Sequence, residues 1–396
     1  MSVAYKFVLF FVKMKKIKLL LLSLMFYFPL AGTAGTFLDV SIFSSYQINA
    51  LNFTVVTGKY TLFDADKMIT DIVRDETLTF KIKNDSILVS KGTKYLGAFT
   101  SLYISGTALL NNFKIKPLNK GISERCYDDD LRLTAADGFF LLTNHVELEN
   151  YVAGVVQSEG GGSSKDHEFF QVQAITCRTY ALNNIKKHAK EGFNLCDSIH
   201  CQLYNGRCKN NEILASVYKT AGEVIVDKGN NMISAAFHAN SGGMTVNSED
   251  IWKIPTSYLK AVADTFSIKM PGSTWEYQIL QNNWLEYLSS RFNYPVNDPV
   301  KKEYALNFKQ ENRKVFFSDS ILLSTIRFDL GLKSTWFSIE HQGAYLIFKG
   351  KGHGHGVGLS QQGAIRMAQL GYNFIDIIKF YYKDVEVVNY DELMIK

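Results

Sequence analysis

One acidic residue stands at the end of a long apolar segment. The segment from Leu148 to Val156 is mostly apolar, and it leads through Gln157 and Ser158 to Glu159 and then to three consecutive glycines. A carboxyl group at an apolar wall loses hydration in its charged form, so its pKa rises and it can donate a proton near neutral pH. Glu159 is therefore a candidate general acid. The alternative is a carboxylate that only stabilises the start of the next helix.

A cluster of histidine and cysteine residues follows. Its members are His188, Cys196, His200 and Cys201, with Cys208 a little further along the chain. Thiolate and imidazole groups brought together by a turn suit Zn²⁺, which takes four nitrogen or sulfur ligands in a tetrahedron. In an oxidising compartment a disulfide between Cys196 and Cys201 is the alternative. The residues by themselves leave both interpretations open.

Glycine alternates with histidine near the C-terminus, between Gly350 and Ala364. On an extended chain this spacing places His353 and His355 on one face, with almost no side chain on the other. Bare backbone allows close approach of a ligand or of another chain. A packed glycine strand, a pair of metal ligands and a substrate-facing wall are all compatible with the pattern. A phosphate loop is not, because the glycine spacing differs and the terminal Lys-Ser/Thr pair is missing.

A polar loop with a Gly-Gly turn precedes a tryptophan. The loop runs from Phe237 to Thr245, and Trp252 follows it. Such side chains could bind a sugar by hydrogen bonds and ring stacking, although many polar loops show the same pattern.

The elements that must position these groups change character along the chain. From Phe37 to about Leu118, short apolar segments alternate with polar turns, which is typical of a β-rich scaffold. A hairpin over Leu131–Thr143 follows, and then a helix from about Lys165 to Lys190, with Glu159 in the loop before it. Two short helices are expected near Ser360–Leu370 and Asn373–Tyr382.

The sequence thus predicts an α+β fold, with a β-rich scaffold, one long central helix and short C-terminal helices. No repeat or low-complexity linker divides the chain, which favours a single composite domain with a substrate cleft. Within it we expect an N-terminal β-rich part at 35–125 and a core at 126–270 that carries Glu159, the long helix and the Cys/His cluster. A C-terminal part at 271–396 carries the glycine–histidine motif.

Composition excludes several classes of protein. Of the 396 residues, 46% are hydrophobic and 20% are charged, which excludes a disordered, collagen-like or coiled-coil chain. The formal net charge is +5, but five lysines and no acidic residue lie within residues 1–34, so the remainder is neutral. A neutral body has no general attraction to a polyanion, and we expect no nucleic-acid partner.

Residues 1–34 have the parts of a secretory signal peptide, with a true start that could be Met14. Lysines precede an apolar run from Leu19 to Phe28, and small residues end at Ala34. The run is about half of the ~20 apolar residues that a spanning helix needs. We therefore expect export to the periplasm, the cell envelope or the exterior, and membrane contact only through an uncleaved leader.

In their order, these motifs resemble those of the stage II sporulation protein D family of exported lytic transglycosylases, which includes amidase-enhancer relatives. The resemblance covers about 37–385. The matching segments are Leu148–Glu159, Gln173-Ala174, Arg178–Ala181, Cys196–Gln202 with Tyr204, Ala221–Glu223, Phe237–Gly243, Leu330–Phe337 and Gly350–Ala364.

The resemblance implies a reaction on peptidoglycan. It implies cleavage, without water, of the β-1,4 bond between N-acetylmuramic acid and N-acetylglucosamine in peptide-stripped glycan strands, which leaves a 1,6-anhydro end. Glu159 would act as acid and then as base, and Zn²⁺ would be held by His188, Cys196 and Cys201, with His200 as a further candidate. The implied substrate-binding residues are Ser158, Arg178, Tyr180, His238, Ser241, Gly242, Gly243, His353, His355, Ser360 and Gln361.

Two other functions compete with this one. A non-catalytic glycan-binding protein could stimulate a partner cell-wall amidase, and a zinc hydrolase could use the Cys/His cluster as its centre.

Overall fold

The structure is a computed structural model that describes residues 35–394 except 161, 163 and 319. From Phe37 onward the chain forms one compact unit that mixes strands and helices, which confirms the predicted α+β class. The predicted leader, residues 1–34, lies outside the described residues. Among the residues that are described, no helix has both the length and the apolar character needed to cross a membrane.

The strands are short, and most of them precede residue 148. In chain order they are β1 (Phe37–Ile42), β2 (Ala50–Thr57), β3 (Lys59–Asp64), β4 (Lys67–Val73), β5 (Thr77–Lys83), β6 (Ser86–Lys91), β7 (Lys94–Phe99), β8 (Ser101–Gly106), β9 (Asn112–Pro117), β10 (Arg125–Asp128), β11 (Asp130–Ala136), β12 (Phe139–Glu147), β13 (Leu195–Cys196), β14 (Glu223–Val226), β15 (Phe237–His238), β16 (Thr274–Leu280), β17 (Phe316–Ser318), β18 (Ile321–Leu322), β19 (Phe337–Gln342), β20 (Tyr345–Lys351), β21 (Leu359–Ser360) and β22 (Glu386–Asn389).

The helices follow the main β region. They are α1 (Leu148–Glu159), α2 (His167–Asn183), α3 (Asn211–Lys219), α4 (Ser248–Trp252), α5 (Gln281–Phe292), α6 (Pro299–Leu306), α7 (Leu323–Asp329), α8 (Gln361–Gln369), α9 (Phe374–Tyr381) and α10 (Tyr390–Met394). Both short C-terminal helices expected from the sequence are therefore present, as α8 and α9.

Two sheets form the predicted β-rich scaffold. One has the order β13-β1-β12-β11-β8-β3-β4 and the other β10-β9-β2-β5-β6-β7. In β2 the side chains of Leu51, Phe53 and Val55 are buried and alternate with more exposed neighbours, as a strand with one face on the core requires. The ring of Phe53 packs edge-on against that of Tyr60 in β3, with centroids 5.5 Å apart. This contact joins the two sheets through their apolar faces.

The N-terminal strand binds the scaffold to the middle of the chain. β1 pairs antiparallel with β12, from Phe37 opposite Glu147 to Ile42 opposite Leu142, and pairs parallel with β13. One sheet therefore contains segments from both sides of the predicted boundary at 125, as expected for a composite domain. The boundaries at 125 and 270 stay predictions.

A second apolar core lies in the C-terminal part. The sheet β16-β20-β19 and the helices α5, α6 and α7 enclose Trp284, whose side chain is fully buried. Its indole packs edge-on against Phe317 and Phe348, with ring centroids 5.6 and 5.1 Å away.

The segment that ends at Glu159 is a helix, so the prediction that Glu159 lies in a loop was wrong. Glu159 is the last residue of α1, and Glu147 caps the start of α1 by accepting hydrogen bonds from the backbone N–H groups of Glu149 and Asn150. The segment is buried on nearly every side, so its apolar residues show no period that separates a helix from a strand. Gly154 allows close packing here, because a Cβ at that position would lie 2.5 Å from the carbonyl oxygen of Gly206.

The predicted central helix is α2, and it is shorter than predicted: it ends at Asn183 and not near Lys190. The helix ends early because of tertiary contacts made by Asn194. The Asn194 side chain donates to the carbonyl oxygen of Ile185 (2.8 Å) and accepts from the backbone N–H of Asp39 in β1 (2.7 Å). These bonds draw the chain after α2 toward the sheet, and the resulting turn carries His188 back along the molecule.

A buried ion pair joins α1 to α2. Arg178 is fully buried, and its Nε donates to Glu149 at 2.8 Å. A terminal nitrogen donates to the other carboxylate oxygen of Glu149 at 2.5 Å, and further bonds go to the carbonyl oxygens of Val217 and Glu223. The expectation that Arg178 binds substrate is therefore corrected: its side chain is enclosed in the core and holds two helices together.

Removal of the guanidinium should destabilise the fold strongly. Arg178→Met would leave the Glu149 carboxylate buried without its charged partner, which typically costs about 3–5 kcal/mol. Lys379→Met, which breaks the exposed pair with Glu386, is the control and should cost about 1 kcal/mol or less. Urea unfolding measures both free energies, and equal losses in the two variants would contradict the structural role of Arg178.

Candidate active site

Glu159 lies at the wall of a cavity of about 360 Å³, called here the Glu159 cavity. Its carboxyl is half-buried and accepts a hydrogen bond of 2.8 Å from the backbone N–H of Leu203. Burial raises the pKa of Glu159, and the bond from Leu203 opposes that rise only in part. The cavity is lined by Glu159, Tyr180, Ile199, His200, Cys201, Ser234, Ala235, Ala236, Phe237, Trp252 and His355.

The last turn of α1 fixes the loop that contacts Glu159. Three consecutive side chains accept hydrogen bonds from the loop's backbone: Gln157 from Lys209 (2.8 Å), Ser158 from Asn205 (3.0 Å) and Glu159 from Leu203. The Ser158 hydroxyl also donates to a carbonyl oxygen of α1. Ser158, predicted to bind substrate, thus has its hydroxyl engaged within the protein, and it orients the loop.

The glycine–histidine segment contributes His355 to the cavity wall, although the segment is not an extended strand. Gly352, Gly354, Gly356 and Gly358 all have φ between 69° and 109°, in the left-handed region. The two imidazoles are therefore not held on one face: His355 lines the Glu159 cavity, whereas His353 is exposed.

Glycine is required where this segment meets its neighbours. A Cβ at Gly358 would lie 2.2 Å from the carbonyl oxygen of Ala236, and one at Gly354 would lie 2.8 Å from the Cβ of His238. These contacts let β21 pair with β15 and bring the two motifs together.

Two neutral histidines support the wall. His238 is buried and its Nδ1 bonds to the carbonyl oxygen of Val357 (3.1 Å), while Nδ1 of His355 accepts from the backbone N–H of Val357 (3.0 Å). Burial, followed by the charge of Arg327, lowers the pKa of His355 to about 4, and burial lowers the pKa of His238 well below its usual value. The indole of Trp252 lies against His355, with ring centroids 5.3 Å apart, and is 42% exposed.

The other predicted substrate residues form a buried hydrogen-bond network. Ser241 is fully buried and donates to Asp264 (2.7 Å), and Ser360 is fully buried and caps α8. The backbone N–H groups of Gly242 and Gly243 bond to neighbouring side chains, Gln361 is 8% exposed, and none of these residues lines the Glu159 cavity. Among the expected contacts, the structure brings Tyr180 and His355 to the cavity. The others do not line it.

The four predicted metal ligands do converge. One donor atom from each of His188, Cys196, His200 and Cys201 lies within 4.8 Å of the donors of the other three. The Cys201 sulfur is 3.4 Å from Nε2 of His188, and the Cys196 sulfur is 3.7 Å from Nδ1 of His200. For Zn–S of about 2.3 Å and Zn–N of about 2.0 Å at tetrahedral angles, neighbouring donors lie about 3.5 Å apart, so the spacing fits. Both thiols are free, not joined in a disulfide.

A hydrogen bond from a residue outside the Cys/His cluster orients one of its histidines, and two members of the cluster line the Glu159 cavity. Nδ1 of His188 bonds to the Glu191 carboxylate at 2.9 Å, which leaves Nε2 directed at the other donors. Metal-binding histidines usually have such a hydrogen bond on the ring nitrogen that does not bind the metal. His200 and Cys201 line the same cavity as Glu159. The cluster could therefore hold a metal ion at the edge of the cavity.

Trp252 and Phe237 belong to the polar-loop pattern that the sequence analysis linked to sugar binding. Ile199 and the segment Ser234–Ala236, which also line the cavity, gave no functional signal. They reach the cavity through the packing of distant segments, so no local pattern marks them.

The low pKa of His355 predicts acid sensitivity. The unfolded imidazole takes up a proton near pH 6.5 and the folded one only near 4, so the protein loses stability as pH falls across that interval. The loss from this group is at most on the order of 3 kcal/mol. Urea unfolding at several pH values should show a smaller loss for His355→Gln. The exposed His341→Gln should behave like the wild type, and a His355→Gln profile equal to that of the wild type would disprove the assignment.

Comparisons with known proteins agree on one family. The sequence model of the stage II sporulation protein family matches residues 137–226, a segment that contains Glu159 and all four donors of the Cys/His cluster. An uncharacterized protein of Brachyspira hyodysenteriae is 32% identical over 263 residues, which are 64% of this chain and 70% of that protein.

Two relatives from Bacillus subtilis carry informative names. Its stage II sporulation protein D is 27% identical over 274 residues, 64% of this chain and 77% of that protein. Its amidase enhancer is 24% identical over 341 residues, which cover 71% of this chain but 47% of the enhancer. The chain therefore belongs to the stage II sporulation protein D and amidase enhancer family.

Proposed function

We propose that this protein is a lytic transglycosylase of peptidoglycan that acts outside the cytoplasm. The observation that carries the proposal is the isolation of Glu159, which is the one acidic residue among the described residues that line its cavity and has a raised pKa. Glycosidases that use water generally need two carboxyl groups, one as acid and one as base or nucleophile. A reaction whose nucleophile is a hydroxyl of the sugar itself needs only one.

The chemistry then follows from one proton carrier. Protonated Glu159 gives its proton to the glycosidic oxygen as the bond from that oxygen to C1 of N-acetylmuramic acid breaks. The C6 hydroxyl of the same sugar attacks C1, and the resulting carboxylate takes the hydroxyl proton. The products are a 1,6-anhydro end and a free hydroxyl on N-acetylglucosamine. No water is consumed, and Glu159 returns to its starting protonation state.

The surroundings suit this cycle. Burial favours the protonated form of Glu159 before the reaction, whereas the N–H of Leu203 stabilises the carboxylate formed midway. The exposed face of Trp252 offers an apolar surface to a sugar ring, and His355 behind it carries no charge at neutral pH.

We further propose that His188, Cys196, His200 and Cys201 hold a zinc ion. Four protein ligands form a closed shell, which is typical of structural zinc. Such an ion would supply a crosslink between the turn after α2 and the chain from β13 to Cys201. It would thereby fix one edge of the Glu159 cavity.

Loss of the acid should abolish cleavage. Glu159→Gln keeps the shape of the side chain but cannot carry the proton, so the rate should fall by about 10²–10⁴. The measurement is mass spectrometry of 1,6-anhydro products released from peptide-stripped glycan strands. Glu212→Gln, at an exposed position of α3, is the matched control and should leave the rate unchanged. Product release by Glu159→Gln at the wild-type rate would refute the mechanism.

The zinc proposal has its own readout. Elemental analysis of the purified protein should find about one zinc per chain. The Cys196→Ser, Cys201→Ser double variant should lose it and unfold at a lower temperature. Cys208→Ser, at a buried cysteine outside the cluster, should keep it. A Cys196–Cys201 disulfide detected by mass spectrometry without reductant would exclude this site.

The similarity to an amidase enhancer supports a second candidate, a glycan-binding protein that stimulates a cell-wall amidase. The Glu159→Gln variant separates the two functions. If the variant and the wild type raise the activity of an added amidase equally and neither releases anhydro products, the second candidate is selected.

A further inference from the structure

Two more cavities continue from the Glu159 cavity in a row. A middle cavity of about 400 Å³ shares His200 with the Glu159 cavity. A third one of about 430 Å³, called here the basic cavity, shares Tyr46 with the middle cavity. Each cavity thus shares one lining residue with the next. The row therefore runs from Glu159 past the Cys/His cluster to the N-terminal β region.

The basic cavity has an excess of cationic side chains. Arg125, Arg207 and Lys209 line it, against the single acid Glu124. Glu124 is already paired with Lys114 (3.3 Å). No ion pair or hydrogen bond of the Lys209 ammonium is found among the described residues.

The two arginines keep donors for a ligand. Arg207 donates through Nε to Asp128 at 2.7 Å, a bond that does not use its terminal amino groups. Arg125 donates through one terminal nitrogen to the buried Asp197 at 2.8 Å. A guanidinium has five N–H donors, so each side chain keeps donors beyond the one that anchors it and lines the cavity with them free for an anion.

Tyr46 is a supported aromatic surface at the junction. Its side chain is 46% exposed, and its ring packs edge-on against Phe43, with centroids 6.4 Å apart. Phe43 is buried and carries the Arg125 guanidinium 4.5 Å above its ring. The backbone N–H of Tyr46 also bonds to the carbonyl oxygen of Phe43 (2.9 Å). The ring therefore presents a fixed apolar face beside the basic cavity.

We propose that the middle and basic cavities are distal subsites for an anionic glycan strand, with Tyr46 stacking a sugar ring and Lys209, Arg207 and Arg125 binding its carboxylates. The inference rests on the proposed function. A peptide-stripped strand carries one lactyl carboxylate on each N-acetylmuramic acid, so it alternates apolar sugar faces with negative charges. Aromatic and cationic groups in sequence along a groove complement that pattern.

Binding of fragments of two lengths tests the row. Tetrasaccharides and octasaccharides from peptide-stripped strands are titrated against the full chain with Glu159→Gln, which prevents turnover. Tyr46→Ala and Lys209→Gln should each raise the Kd for the octasaccharide about tenfold and leave that for the tetrasaccharide unchanged. Tyr46→Phe should bind like the parent. The matched controls are Tyr95→Ala and Lys81→Gln, at exposed positions outside the row.

An uncharged strand separates the stacking contribution of Tyr46 from the electrostatic contribution of Lys209. With a chitin octasaccharide, which lacks carboxylates, Tyr46→Ala should still weaken binding and Lys209→Gln should not. The effect of Lys209→Gln on the anionic octasaccharide should also shrink at high salt, because exposed charges are screened.

The outcomes separate this inference from the proposed function. If the wild type releases anhydro products but Tyr46→Ala and Lys209→Gln bind octasaccharides like the controls, the distal subsites are refuted and the function stands. If octasaccharide binding depends on both residues but no anhydro product forms, the transglycosylase proposal fails and the groove stands as a glycan-binding surface. If the variants lose only stimulation of an amidase, the surface serves a protein partner and the inference is overturned.

Discussion

The site depends on the end of one buried helix. α1 is apolar because it lies inside the molecule, yet its last turn must emerge where the core meets the Glu159 cavity. Gln157, Ser158 and Glu159 all use their side chains to hold one loop, and only the third also faces the cavity. The half-burial that raises the pKa of Glu159 is thus a consequence of where the helix ends.

The cavity wall at His355 is polar, and His355 and His238 behind it carry no charge at neutral pH. His238 is buried and His355 is half-buried, and their bonds to Val357 fix both rings while burial keeps them neutral. The wall therefore adds no charge beside Glu159 at neutral pH. The glycines allow this packing, because any side chain at Gly358 would collide with the backbone of Ala236.

Several predictions made from local patterns were confirmed because their cause is local. Alternation along β2 and the amphipathic C-terminal helices record which side of each element is buried. The four donors at 188–201 were identifiable since thiols and imidazoles crowded in sequence have few other uses. The predicted length of α2 was wrong because Asn194 determines where the helix ends. The bonds of Asn194 to Ile185 and Asp39 depend on a neighbouring strand.

By itself the sequence determined the α+β class, the candidate acid and the Cys/His cluster, because residue type and spacing carry that information. The tertiary structure decided which polar residues face the cavity. Arg178 and Ser241 look like substrate ligands in the sequence, but both are fully buried and bonded to carboxylates of the core. Trp252 and Tyr46 acquire their positions from segments far away in the chain. The burial of a side chain depends on all of its spatial neighbours, and a single sequence does not show which residues those are.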